Sequence, residues 1–344
     1  MMAGRPLHLV TGALGFVGLH LVEQLLGEGG AVAGLGRHGP ADPLPGAVRG
    51  FAQAGAAASL PRGVRFEGDA GAWDYAPCAL EDPAPVRQLV EDLRPAVIFH
   101  LAAQSSAARS FTDPQDTFQS NVIGTLNLLE AVRFLPETER PTLVMVGSAE
   151  EYGRLDATGP VAEDHPVRPV SPYGASKAAQ TLLCQQYHRA FALPVVVTRS
   201  FSHTGPGQDA RFALPSFARQ IAAAERGEGP RELSVGDLSP VRDYLDVRDV
   251  AVAYRRLAEA GVPGEVYNVA SGRGVTIRAA LQMLLDRAQV PLTVRTDPQR
   301  LRPADIPYLV GSAARLERCT GWRPARRLED TLAELLDDVR KEHS

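Results

Sequence analysis

Tyr173 and Lys177 stand four residues apart in the stretch Ser171-Pro172-Tyr173-Gly174-Ala175-Ser176-Lys177. On a helix, that spacing puts a phenol and an ammonium on one face. A nearby ammonium favours phenolate, drawing a group with an ordinary pKa of about 10 toward use as an acid or base near neutral pH. The same spacing also suits a solvated helix face, so its meaning depends on what the fold delivers beside it. One such partner is Val146-Gly147-Ser148-Ala149-Glu150-Glu151-Tyr152-Gly153, at the end of an apolar, strand-like run. Ligands of open α/β sheets bind beyond the carboxyl ends of strands, which puts Ser148 and Glu150 where a substrate would sit. A hydroxyl there can polarise a carbonyl oxygen while Tyr173 protonates it. The structural alternative is that Ser148 caps a turn and Glu150 is solvated.

A second group of residues has phosphate chemistry. Thr11-Gly12-Ala13-Leu14-Gly15-Phe16-Val17-Gly18 follows a strand-like run and opens a helical one. Gly12 suits the tight turn, Gly15 lets the backbone approach a pyrophosphate, and Gly18 lets helix and strand pack closely. The helix start at Phe16 and Val17 offers free N–H groups and a positive dipole. After the second strand comes Gly34-Leu35-Gly36-Arg37-His38, where an NAD enzyme usually places an acid. Arg37 suits a 2′-phosphate instead, which favours NADP(H) and leaves NAD(H) as the alternative.

The elements that must position these residues alternate in character. Leu7–Val10, Ala31–Leu35, Val97–His100, Thr142–Val146 and Val195–Thr198 read as strands buried on both faces. Phe16–Leu26, Val86–Leu93, Thr117–Phe134 and Ala175–Phe191 read as helices between them. This alternation predicts an α/β fold: a Rossmann doubly wound parallel sheet with helices on both sides. Residues 38–76, rich in Gly, Ala and Pro, break the rhythm as an insertion or a short helix and hairpin, with a third strand expected near Pro77–Leu80. Beyond Ser200 the pattern becomes a turn-rich loop Phe201–Asp209, a helix Pro215–Glu228, a short strand Leu233–Val235, a helix Val247–Ala260, a strand Val266–Val269 and helices Thr276–Gln289 and Thr331–Lys341. The expected organisation is a dinucleotide-binding domain of residues 1–201 plus about 240–270, with a smaller interleaved substrate domain of 202–239 and 271–344.

The 344 residues carry a formal net charge of -4 with dispersed Lys and Arg, which argues against nucleic acid as a partner. No apolar run reaches the length of a spanning helix, and the N-terminus lacks the apolar core of a signal peptide. Cys78, Cys184 and Cys319 are the three cysteines and lack ligand spacing, which argues for a reducing compartment and against a zinc site. His8, His20, His100 and His203 likewise show no metal-ligand spacing. A cytoplasmic globular protein without a metal is expected.

Taken in order, TGALGFVG, HLAAQSS (100–106), NVIGT (121–125), GSAEEYG and SPYGASK resemble the extended short-chain dehydrogenase/reductases acting on nucleotide sugars, over nearly the whole chain. The resemblance implies Ser148, Tyr173 and Lys177 as the catalytic set, with Lys177 also holding the nicotinamide ribose and Leu101 and Ala102 lining the cofactor. TRSFSHTGPGQ (198–208), VRDYLDVRDV (241–250) and the segment 301–324 look like the GDP-4-keto-6-deoxy-D-mannose reductases, which make GDP-D-rhamnose. The sister GDP-mannose 4,6-dehydratases typically carry His-Glu-Ser-Pro-Arg-Arg where this chain has His203-Thr204-Gly205-Pro206-Gly207-Gln208. Arg242 and Arg302 match positions contacting the diphosphate, and Asp305 one near the nucleotide ribose. Ser105, Ser202 and Gln208 are further substrate candidates, Phe212 a weaker one, on the same resemblance. A homodimer or homotetramer is also implied, through the Tyr173 helix and the Asn121 helix.

Elimination needs more than ketone reduction does: a base at C5 and an acid for the departing C6 hydroxyl. Glucose-type dehydratases use adjacent Asp and Glu, and here the first position is Ala149 while Glu150 remains. Both GDP-sugar families keep that Glu, so a lyase stays open as the alternative, as does an epimerase on the same scaffold. A catalytically silent dinucleotide sensor is a third class, disfavoured by the intact Ser148/Tyr173/Lys177 set. Two departures from the family pattern stand out: Ser202 replaces an Asn, and Ala79 replaces an Asp that binds the adenine amine.

Overall fold

The computed structural model describes residues 6–37, 50–57, 60, 63–155, 158–300 and 306–341. Its strands in chain order begin with β1 (Leu7–Thr11), β2 (Ala31–Gly36), β3 (Phe51–Ala56), β4 (Val64–Gly68), β5 (Gly71–Pro77), β6 (Val97–His100), β7 (Thr142–Ser148) and β8 (Val195–Ser200). They continue with β9 (Ser202–Thr204), β10 (Glu232–Val235), β11 (Val241–Asp246), β12 (Val266–Val269), β13 (Gly274–Thr276), β14 (Thr293–Thr296) and β15 (Tyr308–Leu309).

Nine of these strands form one sheet in the order β12-β8-β7-β6-β1-β2-β5-β4-β3. The pairs from β12 to β5 are parallel, and β4 and β3 extend the edge as antiparallel ribbons. Strand order reverses between β1 and β6, the kind of switch point where doubly wound sheets bind ligands. Buried side chains on the two faces pack beneath flanking helices, Leu21 and Val22 on one side and Leu128, Leu129 and Val132 on the other. The long valine-rich strands are therefore apolar toward both faces, as a doubly covered parallel sheet requires.

Of the two readings left open for 38–76, the described part agrees with a hairpin and not with a flexible insertion, and shows no helix. That part holds β3, β4 and β5, and the third parallel strand is Gly71–Pro77 rather than Pro77–Leu80. The reason is side-chain packing: Trp73, Tyr75 and Phe66 bury against one another across β4 and β5, a cluster of aromatics that outweighs the local Gly and Ala content. The loop expected over Phe201–Asp209 likewise contains β9, which pairs in parallel with β11.

The later part of the chain builds smaller sheets, β10 with β14 and β13-β11-β15. The helices Ala213–Glu225, Ile277–Leu285 and Leu328–Lys341 close over them around Phe217, Ile221, Leu281, Leu335 and Leu336. β12 returns to the large sheet beside β8. Among the described residues no helix is long and apolar enough to cross a membrane.

Candidate active site

The helix Pro172–Phe191 starts where the sequence provides a cap. Ser171 Oγ accepts from the Gly174 N–H at 3.0 Å, and Pro172 occupies the first turn, where its missing N–H costs nothing. Gly174 allows the helix to lie against the β7 turn: a Cβ there would sit 2.7 Å from the Glu150 carbonyl oxygen. That approach brings Tyr173 to the carboxyl end of β7, where Ser148 also stands. Ser148 Oγ accepts from the Glu150 N–H at 3.2 Å, capping a short 3-10 turn, and the Ser148 side chain lies beside the Tyr173 phenol, whose pKa it draws down. One side chain thus caps the turn and borders the phenol.

Desolvation pushes the Tyr173 pKa up, the Glu150 charge adds to the rise, and the Ser148 side chain opposes it. The expectation of a depressed phenol pKa is reversed: Tyr173 is held protonated at neutral pH. Lys177 is buried, and its Nζ donates to the Val146 carbonyl at 2.7 Å and to Gln180 Oε1 at 2.8 Å rather than to the phenol. Desolvation lowers its pKa to about 8, with the Glu151 charge opposing the fall. Glu150, half-buried, accepts from Ser171 Oγ at 2.9 Å.

Glu151, absent from the sequence-based set, is fully buried beneath this turn. Its carboxylate accepts from the Ser148 N–H at 2.9 Å, Thr181 Oγ1 at 3.0 Å and Arg199 Nε at 2.9 Å. Burial raises its pKa while Arg199 pulls it down. A signal existed: Arg199 is the one charge in the otherwise uncharged, buried run Val195–Ser200, and a cation in such a strand needs a partner.

A second buried network reaches the Tyr173 helix from the other side. A π-helical turn at Gln119–Ile123 sets Asn121, which donates to Ser176 Oγ at 2.9 Å and to the Gln104 carbonyl at 3.1 Å. Ser176 Oγ in turn donates to the Tyr173 carbonyl at 2.7 Å. His100 bridges Thr11 and Thr125, with its pKa lowered to about 3 by burial and then by the Lys177 charge. The Thr125 hydroxyl donates to the Asn121 carbonyl at 2.7 Å, so the neutral imidazole donates from Nε2 to Thr125 and accepts at Nδ1 from Thr11. Thr11 Oγ1 accepts from the Ala102 N–H at 3.2 Å. The ends of β1 and β6 are thereby tied to the helix carrying Tyr173 and Lys177.

The glycine turn after β1 fits a dinucleotide. Gly12 has φ 72°, and its N–H donates to the Leu35 carbonyl at 2.7 Å. A Cβ at Gly18 would lie 2.3 Å from the Gly12 carbonyl oxygen, and one at Gly12 2.9 Å from the Ala102 nitrogen. Gly15 begins the helix Phe16–Gly27 without a side-chain cap, leaving N–H groups and dipole for an anion. Leu101 and Ala102 follow β6 beside this turn, the Leu101 N–H donating to the Thr11 carbonyl at 3.2 Å. Phe16 stacks on His203 with centroids 6.1 Å apart, while His20 Nε2 hydrogen-bonds the Pro206 carbonyl at 3.0 Å. These contacts join the turn to the β9 loop. Arg37, at the end of β2, engages Glu81, Ser120 and Asp116.

The remaining candidates are placed unevenly. Ser105 is exposed on the loop after β6, and Ser202 is half-buried in β9 opposite Tyr244. Gln208 turns inward, accepting from Thr204 Oγ1 at 2.7 Å and donating to the His203 carbonyl at 3.0 Å, so it braces its own loop. Arg242 in β11 donates to the Ile306 carbonyl at 2.6 Å. Phe212 directly precedes the helix Ala213–Glu225, with no side-chain cap. Arg302 and Asp305 lie outside the described residues. The neighbouring Asp243, fully buried, accepts from the Ser271 N–H at 2.8 Å, the Gly272 N–H at 2.9 Å and the Gly311 N–H at 3.2 Å, fixing two loop backbones beside Arg242.

A curated relative, the GDP-6-deoxy-D-mannose reductase of Pseudomonas aeruginosa, is 40% identical over 245 residues, 71% of this chain and 80% of that protein. The structure of RMD from Pseudomonas aeruginosa complexed with NADPH matches with a TM-score of 0.77 and 33% identity, covering 98% of this chain and 99% of that one. The Thermus thermophilus UDP-glucose 4-epimerase in complex with NAD matches with a TM-score of 0.80 and 30% identity, covering 97% of this chain and 99% of that one. A family model described as GDP-mannose 4,6 dehydratase matches residues 9–335. The chain belongs to this GDP-mannose 4,6 dehydratase family, among the extended short-chain dehydrogenase/reductases.

Proposed function

We propose that this protein reduces the C4 ketone of GDP-4-keto-6-deoxy-D-mannose to GDP-D-rhamnose with NADPH. The observation that carries the reading is the protonated Tyr173 phenol beside Ser148 at the carboxyl end of β7. A bound NADPH would supply hydride for C4; Gly12, Gly15, Gly18, Leu101, Ala102 and Arg37 are the residues to hold it. Ser148 orients the carbonyl by donating to O4, and Tyr173 gives O4 its proton. Lys177 carries an ammonium of three donors, two of them engaged, leaving the third for the ribose. Its positive charge also stabilises the phenolate that remains on Tyr173.

The GDP-6-deoxy-D-mannose reductase relative and the NADPH-bound neighbour support substrate and cofactor. Ala149 in place of an acid supports reduction over elimination. Glu150 beside Ser171 keeps a second reading, GDP-mannose 4,6-dehydratase, because its carboxylate borders the same turn. Replacing Tyr173 by Phe tests the mechanism: turnover falls by about 10²–10⁴-fold while NADPH affinity, measured by titration, stays near wild type. Wild-type-like turnover in that variant refutes it.

We further assign residues 1–201 with about 240–270 to the cofactor domain and 202–239 with 271–344 to the sugar-nucleotide domain. The pairing of β12 with β8 supports the first assignment, and the shared core of the later helices supports the second. We place the protein in the cytoplasm, where its three free thiols stay reduced. We also infer a homodimer. Leu182 on the Tyr173 helix is 62% exposed, and Phe111 and Phe118 on the adjoining short helices are 42% and 40% exposed. The two short helices pack against the Tyr173 helix, which supports a shared apolar face for a second copy.

A further inference from the structure

Arg37 leaves the end of β2 into a setting of carboxylates. Its Nη2 donates to Glu81 and to Ser120 Oγ, the latter at 2.6 Å, and its Nη1 lies 3.6 Å from Asp116 Oδ1. The partners converge from separate elements: Glu81 from the segment after β5, Asp116 from the helix Pro114–Phe118, and Ser120 from the π-helical turn. β1, β2 and β5 run parallel, so Arg37 and Glu81 emerge at the same edge of the sheet as the glycine turn. One guanidinium there already faces two carboxylates. A ribose 2′-phosphate would bring about 1.5 to 2 further negative charges and would want the same planar fork. A ribose 2′-hydroxyl makes no such demand.

We propose that Glu81 is a specificity-determining residue for the dinucleotide: it latches Arg37, and a 2′-phosphate must displace it, whereas a 2′-hydroxyl leaves the pair closed. Glu81 thereby narrows the preference for NADP(H) over NAD(H) that Arg37 alone would give. This rests on the reading of the site as an NADP(H) site. The pair is accessible to water, Arg37 45% and Glu81 20% exposed at the side chain, so the latch is weak enough for a phosphate to open. Asp116, at longer range, adds to the negative field without taking the fork.

The test is a set of equilibrium titrations of NADPH and NADH against the full chain, following nucleotide fluorescence, for wild type, Glu81→Gln, Arg37→Ala and the double variant. The latch predicts that Glu81→Gln tightens NADPH by about fivefold and leaves NADH within about twofold. In the Arg37→Ala background the same change leaves NADPH within about twofold, because there is no cation to release. An unchanged NADPH/NADH ratio in Glu81→Gln overturns the proposal. So does an equal gain in the Arg37→Ala background, which would reveal simple charge repulsion. If Arg37→Ala alone leaves the ratio unmoved, the assignment of Arg37 to the 2′-phosphate fails first. If wild type binds neither nucleotide, the dinucleotide reading itself fails.

Discussion

At the scale of single residues, the site divides its labour between two titrating groups. Tyr173 is held protonated by desolvation and by Glu150, which in the proposed mechanism makes it the acid that ketone reduction requires. Lys177, near 8, is the group that changes charge within the working range. Its cationic form prevails below that value and is lost above it. The turnover rate of reduction should therefore fall as pH rises through about 8. In Lys177→Arg, whose guanidinium stays charged, the alkaline limb should move upward even if the maximum rate is lower. A limb that stays fixed in that variant would assign it to another group. The Tyr173–Lys177 spacing and Ser148 were legible in the sequence because their backbone periodicities were. The direction of the Tyr173 shift was not, because it depends on how much water the folded site excludes and on which acceptors Lys177 finds.

At the scale of elements, the positioning depends on close backbone approach and on buried polar networks. The turn after β1 leaves no room for a Cβ at Gly18, which would sit 2.3 Å from the Gly12 carbonyl oxygen. Gly18→Ala should weaken NADPH binding by at least about tenfold in a titration, since the helix must shift from the strand it caps. Retained affinity would show that the turn relaxes without cost. The His100 bridge makes a different prediction. Its pKa is lowered from 6.5 to about 3 in the folded protein, so between those values the unfolded chain binds a proton that the native one does not. The contribution is complete above 6.5 and is lost as pH falls toward 3. The urea midpoint should drop across that window, and His100→Asn should show a shallower slope. Strands β1, β2, β6, β7 and β8 were legible from their apolar runs and bounding turns. β3 to β5 were open only as one of two alternatives, because Trp73, Tyr75 and Phe66 complete their burial when the β4–β5 hairpin joins β2, an element apart in the chain. Glu151 was hidden for the same reason: its burial follows from Arg199, nearly fifty residues away.

At the scale of the molecule, the helix bearing Tyr173 and Lys177 and the glycine turn both meet the carboxyl ends of the large sheet's strands, and the β9 loop contacts the helix after that turn through His203 and Pro206. Placing a charge at Leu182 tests the inferred second copy: Leu182→Glu should halve the mass measured by light scattering, and an unchanged mass would remove that face from the interface. The family as a whole spans reduction and elimination, and the choice between them is a property of the entire site. The most direct measurement incubates the purified protein either with GDP-4-keto-6-deoxy-D-mannose and NADPH, or with GDP-mannose and no added reductant. The account predicts that NADPH and the ketone disappear one for one in the first reaction while GDP-mannose persists in the second. Accumulation of the 4-keto sugar from GDP-mannose without reductant would contradict it.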